Sequence, residues 1–166
     1  ITTILNTHNY SDHIGINHDL GSKGLIKDIR VIGSEKKKNE IPFITETVQD
    51  GSSIELGDIS GTVWLTEGHI DGHICYIFEE FLFCGDTMFA GGCGYLFDGP
   101  AKKMFLSLSR LSSLPDNTNV CCAHEYTQDN LLFAYSVEPT NPILKERMIS
   151  VWKKRKMGQS SLPSTI

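Results

Sequence analysis

Four short apolar runs in this chain each stop at a side chain able to hold a metal ion, and that repetition restricts the possible folds more than any other feature. ITTILNT leads into His8, TVWLT into Glu67 and His69, FLFCG into Asp86, and NVCCA into His124. Short runs rich in β-branched and aromatic residues, bounded by glycine and polar residues, read as strands. In sheets covered by helices, ligands gather beyond the carboxyl ends of the strands. Four distant segments can therefore deliver imidazoles and carboxylates to one point. Taken alone, a histidine at a strand end is more often a polar residue satisfied by hydrogen bonds, and that is the expectation for His18.

The rest of the chain divides around these strands. Ser11 and Asp12 are placed to cap a helix that passes through Ile14 and Leu20 and stops at Gly21. RVIGS reads as a strand, EKKKNE as a solvated loop, and IELGDISGTVWLT as a pair of strands separated by Gly57 and Gly61. HICYIF and FLFCG are two more, joined at Glu79 and Glu80. Pro100 sits where a helix would begin, and Met104, Phe105, Leu108 and Leu111 recur at helical spacing as a core face. NVCCA is a further strand, Thr127 caps a helix through Tyr135, and Asn141-Pro142 opens a last one carrying Leu144, Met148, Val151 and Trp152.

At 166 residues with 40% hydrophobic content, one ordinary globular domain is expected, and a net charge of −5 offers no general attraction for nucleic acid. The five cysteines include no CxxC pair, so neither a disulfide framework nor a thiolate zinc site is implied, and a cytoplasmic setting is expected. No apolar stretch approaches the roughly 20 residues needed to span a bilayer. Ile1 is not an initiator methionine and ITTIL reads as the inside of a strand, so the natural start is expected upstream.

Within THNYSDHIG, alternation along an extended loop points positions 8 and 10 one way, while Asp12 and His13, at the turn into a helix, reach a neighbouring position. Two adjacent metal positions follow from that spacing. Imidazole and carboxylate suit zinc, iron or manganese, and two such ions about 3.5–4 Å apart can activate a water between them.

These residues resemble a known family. THNYSDH is similar to the THxHxDH signature of the metallo-β-lactamase superfamily, and GHIDGHICY, FCGDTMFAGGCGYLFDG and CCAHEYT resemble its hydroxyacylglutathione hydrolase (glyoxalase II) branch over nearly the whole chain. The resemblance implies an α+β fold, the αββα sandwich, here without its N-terminal strands and extreme C-terminus. It implies a catalytic domain over 1–137 and the start of a helical substrate-binding region over 138–166. The implied reaction is hydrolysis of S-D-lactoylglutathione to D-lactate and glutathione by a hydroxide held on two divalent ions, zinc first, with iron or manganese as alternatives. His8 and His69 would bind the first ion, Asp12, His13 and His124 the second, and Asp86 would bridge them. Asp12 would also orient the attacking oxygen. Tyr95, Phe97 and Tyr126 would contact the glutathione moiety, and His73 matches a family histidine with no ligand role. The implied partner is a small glutathione thioester, with no nucleic acid or membrane, and the expected state is a monomer.

Two departures bear on activity. Position 10 is histidine in the family and Tyr10 here, which leaves the first ion with His8, His69 and the shared Asp86. Position 95 is commonly basic in the family and is Tyr95 here. A phenol must lose a proton to coordinate well, so the first site is expected to be weakened. The alternatives are a non-catalytic metal-binding remnant and a superfamily hydrolase of another substrate. GGCG is expected to form a flexible substrate loop, Cys93 to be a small buried thiol, and KKRK at 153–156 to place cations at a helix C-terminus.

Overall fold

The computed structural model of the protein describes residues 1–166. In chain order come β1 (Thr3–Leu5), α1 (Ser11–Ser22), β2 (Arg30–Ser34), a 3-10 turn (Glu35–Lys37), β3 (Glu46–Val48), β4 (Ser53–Leu56) and β5 (Ile59–Leu65). They are followed by β6 (Ile74–Phe78), β7 (Phe81–Gly85), β8 (Met88–Phe89), β9 (Gly92–Cys93), α2 (Ala101–Leu111), β10 (Asn119–Cys122), α3 (Thr127–Val137), α4 (Pro142–Lys156) and β11 (Ser164–Thr165). A parallel sheet has the order β1-β2-β3, a mixed six-stranded sheet runs β11-β10-β7-β6-β5-β4, and β8 and β9 pair as a short ribbon.

Side-chain alternation along the strands builds the layers. Ile32 and Val48 of the smaller sheet meet Ile54, Val63, Ile74, Tyr76 and Phe78 of the larger one in a single apolar interior. On the far side of the smaller sheet, Val31 packs with Ile4, Ile26, Ile29 and Ile41 under Leu20 of α1. On the far side of the larger sheet, Cys75, Leu82, Cys84 and Val120 pack against Leu111 of α2. The order helix, sheet, sheet, helix is therefore the αββα sandwich. Each fully buried aliphatic side chain contributes roughly 1.5–3 kcal/mol, so three clusters of this kind anchor all the strands that reach the site. Beyond the smaller sheet, Phe81 and Phe83 stay partly exposed and line an apolar groove of about 470 Å³ with Leu5, Leu56 and Ile59. No helix is long and apolar enough to cross a membrane.

Several expectations are corrected. Tyr10 occupies the N-cap position of α1 and no side chain caps that helix, which runs to Ser22. Tyr126 likewise precedes α3, while Thr127 turns inward to accept a hydrogen bond from Ser161 Oγ at 3.0 Å. EKKKNE opens with the 3-10 turn, and Gly61 lies inside β5, the turn being at Gly57-Asp58. Met104 is buried, but Phe105 points outward at 68% exposure, because α2 covers the sheet along a narrower stripe than the spacing implied. Within GGCG, Gly92 and Cys93 form β9, which pairs with β8, and Cys93 is exposed rather than buried.

Candidate metal centre

The strand ends converge because backbone bonds lock them together. Beyond β1, the Asn6 amide donates to Ile32 O at 2.8 Å and Thr7 O accepts from Ile74 N at 3.0 Å, which brings His8 beside the start of β6. Asn6 and Asn17, both buried, exchange side-chain hydrogen bonds, and Asn6 Nδ2 also donates to His13 O at 3.0 Å. The first turn of α1 is thereby pinned to β1, with Asp12 and His13 facing the strand ends. Ala123 N donates to Gly85 O at 3.2 Å, setting His124 next to Asp86.

The functional atoms stand close together. Asp86 Oδ1 lies 3.4 Å from His13 Nε2 and 3.6 Å from His124 Nε2, while its Oδ2 lies 3.6 Å from His69 Nε2. Asp12 Oδ2 lies 3.5 Å from His13 Nε2 and 3.3 Å from His124 Nε2. These spacings are long for hydrogen bonds, but ligands bound at about 2.0–2.1 Å in a tetrahedron stand about 3.3–3.4 Å apart. His8 Nε2, His13 Nε2, His69 Nε2 and Asp86 Oδ1 are buried without any hydrogen-bond partner. Buried polar atoms are nearly always paired, so four orphans pointed at one place fit a cation bound there, and the donor types suit zinc or iron.

Two donor triads close within 4.8 Å, His8 with His13 and Asp86, and Asp12 with His13 and His124. His69 belongs to neither, although its Nε2 reaches Asp86. Glu67, at the end of the same strand, turns away to Lys36 Nζ at 2.7 Å and the Gly72 amide at 2.8 Å.

A layer of partners holds these groups in place. His69 Nδ1 donates to Tyr95 O at 2.8 Å, which turns its Nε2 lone pair towards the centre. His73, fully buried, accepts the Asp86 amide at Nε2 over 3.2 Å and meets Thr87 Oγ1 and Thr66 Oγ1 through Nδ1 at 3.0 and 3.3 Å. Burial, with His69 and His13 nearby, lowers the His73 pKa to about 3, and burial with His73 and His13 lowers that of His8 to about 2. Both rings are held neutral, the form in which an imidazole can bind a metal. Burial pushes the Asp86 pKa up, but the His13 contact, with His124 nearby, outweighs it, and the carboxyl sits below its ordinary value. Between these groups lies Gly85, with φ at +48°, where a Cβ would stand 2.5 Å from Thr7 Oγ1 and 2.9 Å from His73 Nε2. Only glycine fits there. Asn6, Thr7, Asn17, Thr66 and Thr87 carry no chemical signature of their own, so sequence reasoning did not single them out.

The metallo-beta-lactamase superfamily model matches residues 1–124. The chain belongs to that superfamily. Residues 125–166 match the model of the hydroxyacylglutathione hydrolase C-terminus. The chain is 45% identical over 169 residues to the hydroxyacylglutathione hydrolase of Aliivibrio salmonicida, aligning 100% of this chain with 64% of the relative. It is 42% identical over 171 residues to that of a Synechocystis species, aligning 99% of this chain with 66% of the relative. It therefore spans 64–66% of the length of these two relatives. Among solved structures, ETHE1 from Myxococcus xanthus is 30% identical with a TM-score of 0.66, over 75% of this chain and 54% of that one. TTHA1623, solved in a di-iron-bound form, is 26% identical with a TM-score of 0.59, over 72% of this chain and 68% of that one.

In this superfamily member the centre opens onto an aromatic cleft. Tyr126 stacks on His124 with ring centroids 5.2 Å apart, and Phe89 closes edge-on to Tyr126 at 5.3 Å. Opposite, Phe97 lies 5.3 Å from His69 and 4.7 Å from Tyr95, whose ring is 72% exposed. A groove of about 620 Å³ lined by Phe89, Cys93, Gly94, Tyr95, Leu96 and Tyr126 begins there. Tyr10 sits between the two histidines and this wall, 5.3 Å from His8, 5.2 Å from His69 and 5.6 Å from Phe97. Burial, with Asp98, raises the Tyr10 pKa, keeping the phenol protonated at neutral pH. His18 is exposed on α1 and takes no part.

Proposed function

We propose that the protein is a metal-dependent thioester hydrolase of hydroxyacylglutathione hydrolase type, converting S-D-lactoylglutathione and water to D-lactate and glutathione. One observation carries this reading: buried imidazole and carboxylate atoms without partners converge beside an aromatic groove. The names of relatives 42–45% identical to this chain supply the substrate. We assign Asp12, His13, Asp86 and His124 to one zinc position, with iron the alternative suggested by the di-iron form of TTHA1623. The position on the His69 side of Asp86, where Tyr10 stands, is the weaker. Residues 1–137 carry the metal-binding fold and 138–166 begin the helical substrate-binding region. A monomer in the cytoplasm suits the five free thiols, and the net charge of −5 disfavours nucleic acid as partner.

A divalent ion here supplies Lewis acidity towards a carbonyl oxygen and towards water. The chain's own residues do the rest. The Asp12 carboxylate, 55% exposed, accepts a hydrogen bond from the attacking water and orients it towards the acyl carbon. Tyr95, Phe97 and Tyr126 flank the glutathione chain and exclude solvent from the thioester. Water adds its oxygen to the acyl carbon, the carbon–sulfur bond breaks, and the sulfur leaves as a thiolate. A thiol with a pKa of about 8.5 leaves readily, so no strong general acid is required.

The zinc-reconstituted chain should consume lactoylglutathione, measured by loss of the thioester absorbance. Asp86→Ala should lower turnover at least about 100-fold, since it removes a ligand reaching both sides of the centre. Tyr10 favours a second reading, a metal-binding protein without turnover. Inactivity of both the unchanged chain and Tyr10→His would replace the first reading by the second.

A further inference from the structure

The donor atoms are not shared evenly between two positions, and the asymmetry goes further than the replacement of one ligand. Both closed triads contain His13. Four of the six edges of a tetrahedron drawn through Asp12 Oδ2, His13 Nε2, Asp86 Oδ1 and His124 Nε2 measure between 3.3 and 3.6 Å. His8 adjoins this set, because it closes with His13 and Asp86. On the other side of the carboxylate, Asp86 Oδ2 lies 3.6 Å from His69 Nε2, and His69 closes no triad. Catalytic zinc sites ordinarily use three protein ligands.

Beside His8 and His69, the Tyr10 ring stands edge-on to both and to Phe97, at interplanar angles of 63°, 72° and 74°. The ring continues the aromatic wall of Phe97 and Tyr95. A phenol also carries its oxygen further from the backbone than an imidazole carries its nitrogen, so the packing that places this ring does not place a donor atom at the ring's own position.

We propose that the centre takes a single cation, seated around His13 among Asp12, Asp86 and His124 with His8 as the adjoining donor, and that Tyr10 and His69 face the acyl end of the cleft, the free His69 Nε2 meeting the acyl group or water instead of completing a second position. The proposal rests on the metal-binding reading above and deepens it.

Metal counting tests this on the intact chain, stripped with a chelator, reloaded with excess zinc and freed of unbound ion by gel filtration. The unchanged protein and Tyr10→Phe should each retain about one zinc per chain, and Tyr10→His about two. His13→Ala should retain none, and His69→Ala one, with circular dichroism melts verifying that both variants fold. Two ions in the unchanged protein, or equal loss in His13→Ala and His69→Ala, would overturn the single-ion assignment while leaving the hydrolase reading standing. A count of one in Tyr10→His would remove Tyr10 as the cause. Zinc bound by none of the proteins would overturn the hydrolase reading itself.

Discussion

Asp86 is held by its backbone as well as through its side chain, and the backbone contact runs through His73, which closes no donor triad. His73 accepts the Asp86 amide at 3.2 Å, stacks on His8 with centroids 4.7 Å apart, and joins Thr66 and Thr87 across the ends of β5 and β7. His73→Phe would keep the shape and the stacking but leave the buried Asp86 amide without its acceptor, at about 1–3 kcal/mol, while Thr66 and Thr87 would keep their bonds to one another. Zinc affinity should fall about 10–100-fold, the usual scale for outer-shell partners, and His73→Gln, which can still accept the amide, should recover part of it. Chelator competition on both variants measures this; a Phe variant that binds zinc as tightly as the unchanged chain would mean that the amide contact does not govern the carboxylate. The ligand-type residues were legible in the sequence because few residue types bind metal and they fall at strand ends. The role of His73 was not, because an imidazole serves equally as ligand or as hydrogen-bond acceptor, and only the fold decides which. His69 was legible as a metal-competent group, but its separation from the closed triads depends on side-chain placement that spacing does not determine.

The elements divide along similar physical lines. β5, β6 and β7 were legible because their alternation is long enough to read, Ile74, Tyr76 and Phe78 going to one face and Cys75 to the other. β3, β8, β9 and β11 have two or three residues each and no measurable period, so tertiary pairing alone creates them. Caps behaved differently from one helix to the next. Asn141 caps α4 as its sequence implies, accepting from Ile143 N at 3.0 Å and Leu144 N at 3.2 Å ahead of Pro142. Thr127 is instead drawn into contact with Ser161, whose amide and hydroxyl donate to Glu125 at 2.6 and 2.7 Å while Arg155 pairs with the same carboxylate at 3.0 Å. That knot ties the end of α4 and the approach to β11 to the residue after His124, a long-range demand that outweighs local capping. Asn141→Ala should therefore cost about 1 kcal/mol in urea unfolding, through loss of its side-chain acceptor. An unchanged midpoint would show that α4 is held by its packing on α3 and by the Glu125 knot alone.

For the molecule as a whole, a centre built from neutral buried imidazoles ties stability to acidity. Without metal, His8 and His73 titrate near 2 and 3 in the folded chain, against 6.5 when unfolded, chiefly because burial penalises the charged ring. The titratable groups around them are His13, His69 and Asp86, and only Asp86 opposes the shift at His8. Between pH 6.5 and 3 the unfolded chain thus binds protons that the folded chain refuses. The stabilisation from these rings is complete above pH 6.5 and declines as pH falls, at about 1.4 kcal/mol per pH unit for each histidine. The lowered pKa values of Asp86 and Glu125 act elsewhere, since carboxylate stabilisation is lost only as pH falls through the acid range below about 4–5. Urea unfolding of the metal-free chain should therefore lose about 2–3 kcal/mol between pH 7.5 and 5.5, and a flat profile would mean that the rings take up protons without leaving the fold. Bound zinc should raise the curve at both pH values and steepen it, raising it more at pH 7.5 than at 5.5, because protons compete with the ion for its imidazole ligands.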